Sequence, residues 1–260
     1  MDWWPRVASS FPPLARKLAE RFWPGPLTLI LPKSDAIPDL VTSGMSTVGV
    51  RVPDHSLTRK LLQLADLPVA APSANPFGRL SPTTAEHVRQ QLGNRVDVIL
   101  DGGPCRVGVE STIIHVCNDE AILLRPGGIP QEAIESLIGK VALPTFVSKS
   151  EPTAPGMLDS HYAPRTRLKI VDQSADISFT DVPDRSRAGL ISLAGPVPVG
   201  IASVEILSAS GNLVEAAARF FQALHRLDQL GLEVILAHRF PDQGLGRALN
   251  DRLRRAAHGS

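Results

Sequence analysis

The stretch ALPTFVSKSEPTAPGMLDSHYAPR, residues 142–165, decides how this chain is built. Pro144, Pro152, Pro155, Gly156 and Pro164 punctuate it, and no hydrophobic period runs through it. A connection this long without regular structure is uncommon inside a compact domain, so it is either a domain linker or a working loop. The residues after it read as strands at 168–171, 188–193 and 204–207. A helix follows with Leu213, Ala217, Phe220, Leu224 and Leu227 on one stripe, then a strand at 233–237 and a last helix from Leu245. Strands alternating with helical stretches predict a small three-layer α/β domain around a largely parallel sheet.

The residues before it carry a different pattern. Leu14, Leu18 and Phe22 recur every four residues behind Pro12 and Pro13, which predicts a helix over 12–22. Strands are predicted at 27–31, 47–52, 68–71 and 96–100, the last ended by Asp101-Gly102-Gly103, and a helix at 57–64. Thr83 and Glu86 have the spacing of a capping box opening the helix that carries Val88 and Leu92. Strands at 111–116 and 121–124 flank Asn118-Asp119, the signature of an antiparallel hairpin. A helix at 130–138 closes this half.

With 260 residues, 43% of them hydrophobic, the chain can bury one large core or two modest ones. Its 27 basic and 26 acidic side chains leave a net charge of +1, which argues against a dedicated polyanion binder. The basic run Arg252, Arg254 and Arg255 reads as a solvated helix face. Cys105 and Cys117 form neither a metal-ligand spacing nor a disulfide framework; one bridge between them is conceivable, and two reduced thiols is the plainer reading. No basic-then-apolar leader opens the chain, and no apolar run approaches the roughly 20 residues needed to span a bilayer. A soluble, cytoplasmic protein is the expectation.

Four short segments place hydroxyls, glycines and arginines where strands run into loops. In Thr47-Val48-Gly49-Val50-Arg51, strand alternation puts Thr47, Gly49 and Arg51 on one face. An arginine there can hold a carboxylate through paired N–H bonds; a salt-bridged edge strand is the competing reading. In Ala71-Pro72-Ser73-Ala74-Asn75-Pro76, followed by Ser81-Pro82-Thr83, small side chains admit a ligand close to the backbone. Thr83 lies at a helix start, where N–H groups favour an anion, although capping alone accounts for it. Gly108-Val109-Glu110-Ser111-Thr112-Ile113 offers two hydroxyls at a strand entry, or else Glu110 pairs with an arginine and the hydroxyls satisfy backbone. Leu124-Arg125-Pro126-Gly127-Gly128 delivers an arginine into a tight turn, which suits a phosphate or an ordinary solvated turn. No G-x-x-x-x-G-K-[ST], G-x-G-x-x-G or G-x-S-x-G motif occurs, and the seven histidines lack zinc spacing.

Taken in order, these segments together with Phe22-Trp23-Pro24-Gly25-Pro26-Leu27-Thr28 resemble the threonylcarbamoyl-AMP synthase (YrdC-domain) family. Ala154-Pro155-Gly156-Met157 and His161-Tyr162-Ala163-Pro164 resemble the linker of its long form. The resemblance implies a twisted mixed sheet with helices, plus a smaller Rossmann-like α/β domain. The boundaries are 1–141, a linker at 142–165, and 166–260. It implies synthesis of L-threonylcarbamoyl-AMP and pyrophosphate from L-threonine, bicarbonate and ATP, with Mg²⁺ carried mainly by the phosphates. A downstream tRNA transferase would receive the product. Arg51 would bind the threonine carboxylate beside Ser73 and Ser111, while Thr47, Ser73, Asn75, Thr83 and Arg125 would line the nucleotide. His161 and Tyr162 would close over it from the linker.

The family's opening T-x-T-x-Y-G-like and K-x-R-P-like segments are not found. The resemblance therefore implies that the chain begins one-quarter to one-third of the way into the first domain, leaving unpaired backbone and exposed apolar surface. His115 stands where the family usually shows an aspartate. Two competing functions remain at this point: a nucleotide- or RNA-binding remnant without turnover, and a carbamoyl-transfer domain as in hydrogenase maturation proteins. The linker and second domain argue against the latter. A weak contact with tRNA and a homodimer covering the open sheet are also left open.

Overall fold

The computed structural model describes residues 4–117, 120–144, 161–172, 182, 184–196 and 198–259. The Ala154 to Met157 segment therefore lies outside the described residues. Two compact units emerge, Met1–Pro72 with Glu110–Met157, and Ser73–Val109 with Leu158–Ser260.

The first unit is a four-stranded mixed sheet. Its strands are β1 (Leu27–Pro32), β2 (Thr47–Val50), β3 (Thr112–Cys117) and β4 (Glu120–Arg125), in the order β2-β1-β3-β4. β1 runs antiparallel to β2 and parallel to β3, and β3 and β4 form the expected hairpin. Leu27, Leu29 and Leu31 point to one face of β1 and are fully buried there. They meet Ala15, Leu18 and Ala19 of α1 (Pro13–Phe22), Ile134 of α5 (Gln131–Ile138), and Ile114 and Leu123 from the hairpin. Between the β1 and β2 strands lies a single turn of helix, α2 (Asp39–Thr42), and after β2 comes α3 (Ser56–Ala65).

Residues 68–71 and 96–100, read from the sequence as strands, are not strands. A strand persists only where a neighbour takes its alternate N–H and C=O groups, and no described strand lies beside either stretch. Their apolar side chains are correspondingly uncovered: Val69, Val98 and Leu100 are each more than half exposed.

In the second unit β5 (Arg167–Val171), β6 (Ala188–Ser192), β7 (Ser203–Ile206) and β8 (Val234–His238) form an all-parallel sheet in the order β5-β8-β6-β7. The two central strands β6 and β8 are buried at every position, as a parallel strand covered on both faces must be. α6 (Leu213–Asp228) starts at Asn212, whose side chain accepts from the Val214 and Glu215 N–H groups. Ala217, Phe220, Phe221 and Leu224 of α6 and Leu249 and Leu253 of α7 (Gly246–His258) pack into one cluster with Ile235 and Ala237 of β8. Both helices therefore cover the same face. The expected third layer is not made by helix among the described residues; Val182, Ile201 and Val204 sit against the other face.

Residues 73–109 pack with this unit, Leu80 and Val109 lying in the same cluster as Phe220. They include α4 (Ala85–Leu92), whose cap is Thr84 rather than Thr83: the Thr84 hydroxyl accepts from His87 N–H. The basic run at the C-terminus also departs from expectation, because Arg252 is fully buried. Burial is tolerable because the Asp251 carboxylate, also buried, lies 2.8 Å from Arg252 Nη1. Among the described residues no helix is long and apolar enough to cross a membrane. Cys105 and Cys117 are both unbridged and exposed.

Candidate active site

One end of the first sheet gathers the polar groups. Register sets Thr28 of β1 opposite Ile113 of β3, and Ile113 opposite Arg125 of β4, while Arg51 follows directly on β2. Arg51, Thr28, Ser111 and Arg125 thus occupy the same sheet end. Thr28 Oγ1 lies 2.7 Å from Ser111 Oγ. Arg125 donates from Nη2 to the Ser111 carbonyl at 2.9 Å and to its hydroxyl at 3.3 Å, and from Nε to the same carbonyl at 3.2 Å. Arg125 and Ser111 are buried, so these bonds hold the guanidinium in a fixed orientation. Arg51 donates to the Gly25 carbonyl at 3.1 Å and keeps an exposed side chain.

Backbone contacts lock this end. Thr112 Oγ1 donates to Ile129 O at 2.7 Å and accepts from Ile129 N–H at 2.9 Å, tying the start of β3 to the turn after β4. In that turn Gly127 leaves no room for a side chain, since a Cβ would stand 2.4 Å from Glu110 O and from Ser111 C. Glycine is required there by close approach. Thr47 stands at the opposite end of β2, paired with Pro32. Thr28 was not singled out from the sequence. The signal was its position on the face of β1 opposite the three buried leucines, beside a second hydroxyl visible only once β1 and β3 are paired.

The remaining expected site residues lie in the second unit. Ser73 is exposed, and its carbonyl accepts from Asn75 N–H. Asn75 Nδ2 donates to Pro76 O at 3.0 Å and Arg79 O at 3.1 Å. Its Oδ1 is buried and has no hydrogen-bond partner among the described residues. Thr83 is buried, and its N–H donates to His87 Nδ1 at 3.2 Å. His87 must therefore be neutral. Its pKa is pushed down to about 4 by burial first and then by the neighbouring His225, with which it stacks at 3.9 Å. His225 is lowered too, by burial, and shares a 3.1 Å contact with Ser81 O.

His161 and Tyr162 sit side by side, their rings 4.1 Å apart. Tyr162 is buried and has φ +63°, a left-handed conformation costing a side-chain-bearing residue about 1–3 kcal/mol unless its surroundings enforce it. Arg252 lies over its ring. No local pattern announces that partner, ninety residues downstream in a helix read as solvated. Among the described residues no three His, Cys, Asp or Glu side chains come together as metal ligands.

Comparison with known proteins gives the arrangement a lineage. Residues 1–127 match the family model described as "Telomere recombination", and residues 129–258 match "Threonylcarbamoyl-AMP synthase, C-terminal domain". The chain is 41% identical to the threonylcarbamoyl-AMP synthase of Pyrococcus abyssi, over 96% of this chain and 76% of that one. It is also 41% identical to that of Bacillus subtilis, over 95% and 74%. The crystal structure of P. abyssi Sua5 complexed with L-threonine superposes with a TM-score of 0.90 at 38% identity, covering 99% of this chain and 78% of that one. A doubly substituted form of the same protein gives 0.89 at 36% identity, over 99% and 76%. Matched along both halves, and by a fold of one mixed and one parallel sheet, the chain belongs to the threonylcarbamoyl-AMP synthase family in its two-domain form.

Proposed function

We propose that this chain is a nucleotidyltransferase that forms L-threonylcarbamoyl-AMP and pyrophosphate from L-threonine, bicarbonate and ATP. Its product would pass to a cytoplasmic tRNA threonylcarbamoyl transferase. The observation that carries the reading is the row of Arg51, Thr28, Ser111 and Arg125 at one sheet end, in a chain so similar to a structure bound to L-threonine. The Arg51 guanidinium at this sheet end suits the amino acid's carboxylate, with Ser111 on the neighbouring strand. The fixed Arg125 guanidinium suits a phosphate.

Once threonine is N-carboxylated, a carbamate oxygen attacks the α-phosphorus of ATP. The new P–O bond forms as the α–β bridge breaks, and its electron pair leaves with pyrophosphate. No protein nucleophile is needed, so the residues' work is positioning and charge neutralisation. Magnesium would enter as part of the nucleotide substrate, in keeping with guanidinium and hydroxyl groups rather than a carboxylate cage. Ser73, Asn75, Thr83, Thr47, His161 and Tyr162 are proposed as further nucleotide contacts on the family resemblance alone. The division into 1–141, the linker 142–165 and 166–260 belongs to the same proposal.

The test is pyrophosphate release from ATP and bicarbonate, with and without L-threonine, alongside ATP binding by calorimetry. Threonine-dependent release supports the synthase. ATP binding with no release under any condition replaces it with a binding protein that has lost turnover.

A further inference from the structure

The second unit contains an ionic cluster that the proposed chemistry does not use. On α7, Asp251 accepts from Arg252 Nη1 at 2.8 Å, from Arg254 Nη2 at 2.9 Å and from Arg255 Nε at 3.1 Å. Burial pushes the Asp251 carboxyl up, but the surrounding arginines, Arg252 foremost, outweigh it and hold the group below its ordinary value. Removing two such charges from water is costly, and a pair of apolar residues of equal volume would often serve stability as well. The cluster therefore invites a role in specifying geometry.

Its contacts show which geometry. The Arg252 guanidinium lies 5.4 Å from the centre of the Tyr162 ring, which also packs on Phe221 at 5.6 Å. The residue before, His161, donates its N–H to Arg255 O at 3.2 Å. The residue after, Ala163, donates its N–H to Gly78 O at 2.8 Å and bridges Arg79. Arg79 O in turn accepts from Asn75 Nδ2 at 3.1 Å. A continuous run of contacts thus leads from the last helix, through a residue in a left-handed conformation, to the loop bearing the orphaned Asn75 Oδ1. The path is a physical one, and coupling along it is measurable.

We propose that Arg252, fixed by Asp251, is a positioning residue. By clamping Tyr162 it sets the conformation of the 73–79 loop, so that the C-terminal domain shapes the nucleotide side of the site. The activity arm of the test rests on the synthase reading; the structural arm does not.

The experiment is hydrogen exchange and steady-state kinetics on the full chain, wild type against Asp251→Asn/Arg252→Met. Exchange at the Ala163 and Arg79 amides should be roughly tenfold faster or more, while β6 and β8 keep wild-type protection. The Michaelis constant for ATP should rise by about ten- to a hundredfold, with kcat changed less. If the double variant does not fold, Tyr162→Leu, which leaves the Asp251–Arg252 pair in place, must give the same local signature. Wild-type exchange at 75–79 and 163 in whichever variant folds overturns the proposal, as does faster exchange spread evenly over β6, β8 and α6. A wild-type chain with no threonine-dependent pyrophosphate release would sink the synthase reading, while the exchange pattern would still decide the role of Arg252.

Discussion

Single residues carry the sharpest expectations. Arg51→Ala removes a charge-assisted carboxylate contact worth roughly 1.5–3 kcal/mol, so the Michaelis constant for threonine should rise by about ten- to a hundredfold. Unchanged threonine dependence in the pyrophosphate assay would place the carboxylate elsewhere. His87 predicts a pH effect on stability. Unfolded, its imidazole takes up a proton near 6.5; folded, only near 4. Between those values the unfolded chain binds more protons, so this contribution is complete above about pH 6.5 and is lost as pH falls toward 4. His225, also lowered, acts in the same direction. Melting temperature should fall through that window, more in wild type than in His87→Gln; a flat profile would contradict the lowered proton affinity of His87. At this scale the sequence showed residue types but not neighbours. Arg51, Ser111 and Arg125 were visible as hydroxyls and arginines at strand ends. The Thr28–Ser111 contact joins residues 83 apart in sequence, and no local pattern reports that.

At the scale of elements, local rules succeeded where the stabilising partner is also local. α1, the β3–β4 hairpin and α6 each announce themselves through a period, a turn or a cap within a few residues. Stretches 68–71 and 96–100 have the apolar composition of strands, yet pairing is a property of the neighbour, and none of the described strands supplies it. The start of α4 was misread by one residue because Thr83 and Thr84 are adjacent and either can cap. The two are separable. Thr84→Ala should cost about 0.5–2 kcal/mol of stability, as loss of an N-cap does, in denaturant titration. Thr83→Ala should act mainly on nucleotide binding; an equal stability loss would mean that both threonines serve the helix. Gly127→Ala should destabilise by about 1–3 kcal/mol, because its Cβ would press on the Glu110–Ser111 backbone. It should also weaken activity by moving Ser111, and wild-type melting and turnover would show that the turn can yield.

At the scale of the molecule, the described residues leave some apolar surface uncovered. Among the described residues Leu67 and Val69 are exposed in the first unit, and Val98 and Leu100 in the second. Exposed apolar residues in unpaired, extended backbone are templates for association. Light scattering should show the chain associating as concentration rises, and Val69→Lys should reduce it; a monomer at all concentrations would mean these side chains find cover in solution. The long-range wiring of the second unit has a further implication, for biosynthesis. Ser81 meets His225 across 144 positions, and Leu80 and Val109 share a core with Phe220 and Leu253. Closing so large a loop carries an entropic penalty that local contacts do not relieve, and a ribosome releases the early half first. Residues 73–109 must then wait, uncommitted, until α6 and α7 emerge. A premature stop codon in the last helix would deprive these early residues of part of their core, damaging a region translated long before the lesion.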